Sequence, residues 1–245
     1  MLVNAIVFAA TGFWMLMIFD CVRNEPKSSS WLWLLIMLNV PGAFIYFAAR
    51  KLPDLDLPIP NFFKRWTMKD ALWNAEAGVT NIGKSHQYVM LGNVLAEMGN
   101  LNRALECYRD ALHKEPDNTH ALWGCATIEM HRKNFAQAQA YLKNLLDRDA
   151  RYKRGEAFLL YGKVLYELKQ WSAAKLHLEQ DVKQWGHSES LLLLAKIALN
   201  PDGDRVASKK YLTTMLARLK ASPKYNYRKQ LHLIRSAEKM LKTLG

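Results

Sequence analysis

Small residues recur at a fixed spacing through the middle of the chain. Gly92 and Ala126 lie 34 residues apart, and so do Ala104 and Ala138. The first of these positions returns at Gly162, two residues later than the spacing predicts. A period of this length is typical of stacked helix pairs, because small side chains let the two helices of a pair touch. We therefore predict an all-α solenoid in this part of the chain.

The periodic region divides into three clear units and a degenerate one. The units cover residues 85–118, 119–152 and 155–188, and the degenerate unit covers 188–221. A two-residue insertion within 151–154 separates the second unit from the third. The first unit fills all of the recurring positions, with Tyr88, Leu91, Gly92, Leu95, Gly99, Ala104, Tyr108, Ala111 and Pro116.

This set of residues resembles the tetratricopeptide repeat. The second unit departs from the family pattern at Glu129, Lys133 and Ala150, and the third departs from it at Asp181. The resemblance implies a right-handed helical solenoid over 85–221. It also implies a protein-binding module, since such repeats build extended concave surfaces that receive partners.

In the tetratricopeptide family the first helix of each repeat lines the concave groove. Trp123 and Tyr166 are the predicted anchors for a partner, because large aromatic side chains dominate interface energies. A structural role for Trp123 is the alternative. The family's clamp for a chaperone's C-terminal carboxylate is disfavoured, since only Asn93 matches it. The resemblance places these residues in the groove: Asn93, Trp123, Thr127, Met130, Lys163, Tyr166 and Lys196.

Two apolar stretches, residues 1–19 and 31–49, precede the repeats. Each has 19 residues, and about 20 helical residues cross the roughly 30 Å hydrocarbon core of a bilayer. We predict two transmembrane helices that form an antiparallel hairpin over 1–51. Arg50 and Lys51 follow the second stretch, and the positive-inside rule then places both termini in the cytoplasm.

Residues 19–23, Trp31, 41–43 and Tyr46 give this hairpin a resemblance to the N-terminal region of phospholipase D-type enzymes such as cardiolipin synthases. The resemblance implies that the hairpin anchors the protein in the membrane. It does not bring the chemistry of these enzymes, because their HxK-x4-D motif is incomplete here and Ala138 stands where Asp is required.

A linker over 52–84 connects the hairpin to the repeats. Three prolines between residues 53 and 60 predict an extended spacer, because proline cannot continue a helix. A helix-start pattern near Thr67 then predicts a short helix over 67–78.

Positive charge is concentrated at the C-terminal end. The chain has a net charge of +12, and residues 205–245 hold eleven Lys or Arg but only one acidic residue, Glu238. We predict a basic capping helix within 222–245. In the alternative function, its surface binds anionic lipid or, less favoured, nucleic acid. The residues predicted to carry this contact are Lys224, Arg228, Lys229 and Arg235.

No enzyme signature is present in the sequence. It has no GxSxG, no glycine-rich phosphate loop and no HExxH. Cys21, Cys107 and Cys125 have neither CxxC spacing nor a His partner pattern, and they are predicted to be buried thiols. His120 and His131 share the predicted groove without a third ligand. We therefore expect no catalytic residue, metal ion or cofactor.

Taken together, these patterns predict a membrane-anchored, cytoplasm-facing scaffold. Its expected partner is a subunit of a membrane protein complex, whose assembly or stability it would aid. This last step is an analogy with other anchored repeat proteins.

Overall fold

The fold is that of a computed structural model, which describes residues 2–24, 31–47, 68–200 and 203–244; of these, the side chains of 2–7, 9, 23–24, 224–225 and 228 are not described. The described residues contain helices and no strand, which confirms the all-α prediction. The chain divides into two units, Met1–Pro60 and Asn61–Gly245.

The first unit contains two helices packed against each other, α1 (Leu2–Asn24) and α2 (Trp31–Tyr46). The indole Nε1 of Trp14 donates a 2.8 Å hydrogen bond to the carbonyl of Leu35, which ties the two helices together. The described core of this unit is small, and its buried residues are Cys21, Leu35, Ala43 and Tyr46.

Helix α2 is interrupted near its middle. Asn39 has φ 50° and ψ −125°, two residues before Pro41, whose ring nitrogen cannot donate a helical hydrogen bond. Beyond the interruption, the Tyr46 hydroxyl donates to the Asp20 carboxylate at 3.0 Å. In the part of the chain that the structure describes, no helix has both the length and the apolar character needed to cross a membrane. The two predicted spans are therefore not shown and stay a prediction.

The second unit begins with α3 (Lys69–Asn81), close to the predicted helix over 67–78. Four helix pairs follow, and each helix packs on the next one in the chain. The pairs are α4 (Ser85–Glu97) with α5 (Leu101–Lys114), α6 (Thr119–His131) with α7 (Phe135–Arg148), α8 (Glu156–Glu167) with α9 (Trp171–Gln184), and α10 (Ser188–Leu199) with α11 (Arg205–Lys220).

The recurring small residues lie where the helices of a pair meet. Ala104, Ala138 and Ala174 are fully buried on the second helices. On the first helix α4, a Cβ at Gly92 would lie 2.7 Å from the ring of Tyr108. Since real Cβ atoms do not approach other atoms so closely, the ring fits only against glycine.

The tight turns inside the first three pairs have one left-handed residue each. Gly99 has φ 79°, and the equivalent Lys133 and Lys169 have φ 64° and φ 58°. Glycine adopts this conformation without strain, whereas a side chain makes it less favourable. Lys133 therefore departs from the family pattern in sequence but keeps the backbone that the pattern specifies.

The C-terminal segment forms two helices, so the prediction of one capping helix is wrong. Helix α12 (Lys224–Lys229) ends at Lys229, and the single turn residue Gln230 separates it from α13 (Leu231–Leu244). The break lets α13 turn its apolar side onto α10 and α11, where Leu233, Ile234 and Ala237 become buried. Burial of this amphipathic face outweighs the helical hydrogen bonds lost at the break.

Candidate partner-binding groove

The predicted groove residues lie on α4, α6, α8 and α10, the first helices of the four pairs. Helix α4 contacts α6, and α8 contacts α10, so the first helices of the first two pairs lie side by side, as do those of the last two pairs. We expect these four helices to present the predicted residues on one face. We call that face the groove face.

Trp123 on α6 is half-buried on the groove face. Its ring centroid lies 5.8 Å from that of Tyr152, and the ammonium of Lys153 lies 4.9 Å from the indole centroid, within cation–π range. Trp123 also packs against the core that contains Leu122 and Leu142. The residue therefore has a structural contact on one side and an accessible edge on the other.

Tyr152 is a groove-face residue that the sequence reasoning did not identify. It is buried, and its hydroxyl lies 2.8 Å from Nδ1 of His120. Burial raises the pKa of the Tyr152 hydroxyl to about 12, so it stays protonated at neutral pH. The signal that could have found it is the inserted segment 151–154, which places an aromatic beside Trp123.

Asn93 and Thr127 hold intramolecular hydrogen bonds. The Tyr108 hydroxyl donates to Oδ1 of Asn93 at 2.7 Å. The Thr127 hydroxyl is 3.0 Å from the carbonyls of Trp123 and Gly124, to which it can donate within its own helix. The amide nitrogen of Asn93 is exposed and has no described partner, so Asn93 is the more available of the two.

Met130 completes the α6 portion of the groove face. Its side chain is half-buried and packs against the same core as Trp123. A flexible thioether at such a position can adapt to different apolar ligands.

The third and fourth pairs contribute charge and a second aromatic. The Lys163 ammonium lies 2.8 Å from the Glu189 carboxylate, which links α8 to α10. Tyr166 is half-buried with its ring edge-on to Trp171 at 5.4 Å, and burial raises the pKa of its hydroxyl. Lys196 is half-buried and forms no ion pair within the described residues.

Glu129 explains one departure from the repeat pattern. Only 2% of its side chain is exposed, and it lies 3.1 Å from a guanidinium nitrogen of Arg109. The Asn134 amide donates to its second oxygen at 2.7 Å. Both carboxylate oxygens are therefore paired, which a buried charge requires.

Asp181 explains another departure, because it is fully buried and organises the turn after α9. Its carboxylate accepts a hydrogen bond from the Ser190 hydroxyl and lies 2.8 Å from Nδ1 of His187. The Ser190 and His187 side chains both contact the Asp181 carboxylate, so the three groups hold a turn in place. They do not form the serine–histidine–aspartate relay of hydrolases, in which histidine contacts serine.

The predicted basic surface is described in part. Lys229 and Arg235 are exposed on α12 and α13. Lys224 and Arg228 belong to α12, but their side chains lie outside the described residues.

The three cysteines are free thiols; Cys21 and Cys125 are buried and Cys107 is half-buried. Burial raises the pKa of Cys125 to about 12, which makes this thiol unreactive at neutral pH. Among the described residues, no group of three or more His, Cys, Asp or Glu side chains could hold a metal ion.

Two family models match parts of the chain. Residues 95–155, which run from α4 to the end of the inserted segment, match the tetratricopeptide repeat. Over these residues the chain is similar to that repeat. The phospholipase D-nuclease N-terminal model matches residues 12–51. No curated protein sequence matches the chain.

Several solved structures are similar to this fold. MamA residues 41 to the end, from Desulfovibrio magneticus RS-1, is 16% identical, with a TM-score of 0.58 over 65% of this chain and 91% of that one. Pseudomonas aeruginosa pilF is 18% identical, with a TM-score of 0.54 over 75% and 86%. YrrB, described as a TPR protein with an unusual peptide-binding site, is 20% identical, with a TM-score of 0.50 over 57% and 71%.

Proposed function

We propose that the protein is a scaffold that binds a segment of a protein partner on its groove face. The observation that carries the proposal is Trp123, whose indole is fixed by Tyr152 and Lys153 while part of it stays accessible. A rigid, half-exposed aromatic loses little conformational entropy on binding, and such residues supply much of the energy at interfaces. The tetratricopeptide repeat match supports the same function.

Photo-crosslinking tests this proposal while both predicted anchors, Trp123 and Tyr166, stay in place. A photoreactive amino acid is introduced at Asn93 or Lys196 on the groove face, and at exposed Lys143 or Lys175 on the second helices α7 and α9 as matched controls. We expect the groove positions to capture the same protein, identified by mass spectrometry, and the control positions not to capture it. Capture from the control positions alone would contradict binding on the groove face.

A second variant tests the anchor itself. Trp123→Ala together with Tyr166→Ala should abolish capture at Lys196, since both predicted anchors are then absent. Trp73→Ala is the control, because Trp73 is 70% exposed on α3, which carries none of the predicted groove residues. Circular dichroism and thermal unfolding establish that each variant is folded before its capture is compared.

We further propose that the N-terminal unit attaches the scaffold to a bilayer, with the repeats in the cytoplasm. The match of residues 12–51 to the phospholipase D-nuclease N-terminal region supports this, together with the apolar stretches of the sequence. A scaffold attached in this way would hold its partner near the membrane, which suits the assembly or stabilisation of a membrane complex.

Attachment and topology are measured separately. The full-length protein should stay in the membrane fraction after an alkaline wash. Deletion of residues 1–60 should release it from that fraction. With the native cysteines replaced by Ala, Lys229→Cys should react with an impermeant maleimide in sealed vesicles whose cytoplasmic face points outward, whereas Ser29→Cys should be protected. Labelling of both positions would show that the hairpin does not span the bilayer.

The basic C-terminal segment supports a second candidate function, binding to anionic lipid. On α13 the exposed cations Arg235, Lys239 and Lys242 lie opposite the buried Leu233 and Ile234. Each such cation near an anionic surface contributes about 1 kcal/mol to binding.

Vesicle pelleting tests this second candidate function. The protein without residues 1–60 should pellet with phosphatidylserine vesicles at low salt and dissociate from them at high salt. Replacement of these cations by Gln should abolish pelleting, and unchanged pelleting would exclude this function.

A further inference from the structure

A cleft of about 620 Å³ opens at the edge of the second and third helix pairs. We call it the edge cleft. Its walls come from the inserted segment between the second and third repeats and from the end of α9. The residues that line it are Ala150, Arg151, Arg154, Gln184 and Trp185.

The inserted segment has an unusual backbone that shapes this cleft. Lys153 and Arg154 both have left-handed conformations, with φ 47° and φ 55°. Gly155 follows with φ 88°, and a Cβ there would lie 2.4 Å from the indole of Trp185. The indole can therefore lie against the backbone only because residue 155 is glycine. Strained residues persist where the surrounding structure holds them, and they concentrate at functional sites.

The edge cleft is rich in hydrogen-bond donors that have no partner. Arg151 and Arg154 are exposed, and within the described residues neither guanidinium forms an ion pair. The indole Nε1 of Trp185 is buried and lacks an acceptor. Asp149 and Glu156 are the nearby acids, and the Asp149 carboxylate accepts the backbone N–H of Arg151 at 2.9 Å. The two exposed guanidiniums are therefore available to pair with a carboxylate that a ligand supplies.

The inserted segment also connects the edge cleft to the groove face. Lys153 lies over the indole of Trp123, while Arg151 and Arg154 on either side of it line the cleft. An extended peptide that contacts Trp123 could therefore place a neighbouring side chain in the edge cleft.

We propose that the edge cleft binds an acidic side chain from the partner segment that occupies the groove face. The proposal rests on the groove function above and narrows the partner to an acidic peptide segment. Two planar guanidiniums match the geometry of a carboxylate, and the Gln184 amide offers a further donor.

The apolar part of the cleft favours a peptide over a free anion. Ala150 and Trp185 contribute apolar surface to the lining, and inorganic phosphate has no apolar body to cover it. The volume is also within the range of pockets for larger ligands, about 300–1,000 Å³. The C-terminal carbonyls of α9 lie on the Gln184 side, so the carboxylate should bind nearer to Arg151 and Arg154.

Fluorescence anisotropy tests the proposal on the full-length protein in mild detergent. The probe is a labelled decapeptide with two adjacent Glu residues and one Phe, and the same peptide with Gln in place of Glu is its control. We expect the Glu peptide to bind more tightly. Arg151→Gln with Arg154→Gln should weaken its binding roughly tenfold. Lys143→Gln with Lys175→Gln removes the same charge elsewhere and should leave it unchanged.

Trp185→Phe is a control for the wall of the cleft. It keeps an aromatic ring against Gly155 and removes only a buried N–H, so stability and affinity for the Glu peptide should both be kept. Equal binding of the Glu and Gln peptides would overturn the proposal, as would affinity unchanged by the two arginine substitutions. Phosphate that binds the cleft while the peptide does not would also overturn it.

The crosslinking experiment distinguishes a failure here from a failure of the groove function. Capture from Lys196 does not depend on Arg151 or Arg154. If that capture persists in the doubly substituted arginine variant while peptide binding never responds to charge, the edge cleft proposal alone is wrong. If capture from the groove positions is absent as well, the groove function is wrong.

Discussion

The ring of Tyr108 lies so close to Gly124 that a Cβ added at Gly124 would be 2.5 Å from the ring carbons. Tyr108 is on α5, in the first repeat, and Gly124 is on α6, in the second. The contact therefore sets how closely the first two repeats stack. Burial raises the pKa of the Tyr108 hydroxyl, which stays protonated and donates to Asn93.

Gly124→Ala should destabilise the protein by about 1–3 kcal/mol, because the added methyl group overpacks a rigid aromatic contact. Gly78→Ala is the matched control on α3, where a Cβ would meet its nearest neighbour at 3.5 Å. That substitution should be neutral or stabilise by up to about 1 kcal/mol, since alanine is the better helix former. Urea denaturation measures both, and equal effects would contradict the packing role of Tyr108.

Much of the second unit could be predicted from the sequence, because helix pairing in repeats is set by local, periodic residues. Gly92 and Ala104 indicated where α4 and α5 touch, and Gly99 indicated the turn between them. The edge cleft could not be predicted, since it depends on the left-handed backbone at Lys153 and Arg154. Neither residue type signals that conformation.

The groove residues were predicted from family spacing, which indicates a helix face but not the contacts on it. Spacing could not show that Thr127 bonds back to its own helix or that Lys163 pairs with Glu189. The break at Gln230 was also missed, because the basic residues around it are all compatible with a continuous helix. The break depends on burial of the apolar face of α13 against helices distant in sequence.

Glu129→Leu should cost no more than about 1 kcal/mol, although it removes a paired carboxylate. Leucine fills the buried space, and Arg109 is half-exposed, so its guanidinium returns to water. Glu129→Ala should cost about 2–3 kcal/mol, because it leaves a cavity as well. Thermal and urea unfolding compare the two variants. Equal losses of stability in the two variants would show that the ion pair, and not packing, is the main contribution of Glu129 to stability.

His177 should make stability depend on pH. Its ring stacks on Phe158 with centroids 3.8 Å apart, and Nε2 donates to the Phe158 carbonyl at 2.8 Å. Burial lowers the pKa of His177 in the folded protein, despite the opposing effects of that hydrogen bond and of Asp181. The unfolded chain, with a pKa of about 6.5, therefore takes up the proton first as pH falls.

Protonation of His177 therefore destabilises the folded protein. Above about pH 7 the imidazole is neutral in both states and contributes no pH dependence, whereas stability falls as pH decreases below about 6.5. His177→Gln keeps a donor for the Phe158 carbonyl but cannot titrate. The unfolding free energies of the two proteins are compared from pH 8 to pH 5. As the pH decreases, that of the wild type should fall relative to that of the variant. A difference independent of pH would contradict the assignment.

Asn118→Ala should destabilise the protein by about 1–2 kcal/mol. Its side chain caps α6 by accepting the N–H of Ala121 at 3.0 Å, and its amide nitrogen is 3.1 Å from the Ser85 hydroxyl of the preceding repeat. Asp204→Ala, which removes the equivalent cap from α11, should cost about 1 kcal/mol. Hydrogen exchange should show faster opening at the start of α6 in the first variant. Identical losses without that opening would argue against a link between the repeats.

Helix α13 has a consequence for assembly. It covers the apolar surface of α10 and α11 with Leu233, Ile234 and Ala237, and it presents Arg235 and Lys239 outward. End-to-end polymers of solenoids grow when the last repeat of one copy offers the surface that the first repeat of the next copy needs. At this end of the protein that surface is already occupied, and the outward charges of neighbouring copies would repel each other. We therefore expect α13 to oppose end-to-end growth at the surface that it covers.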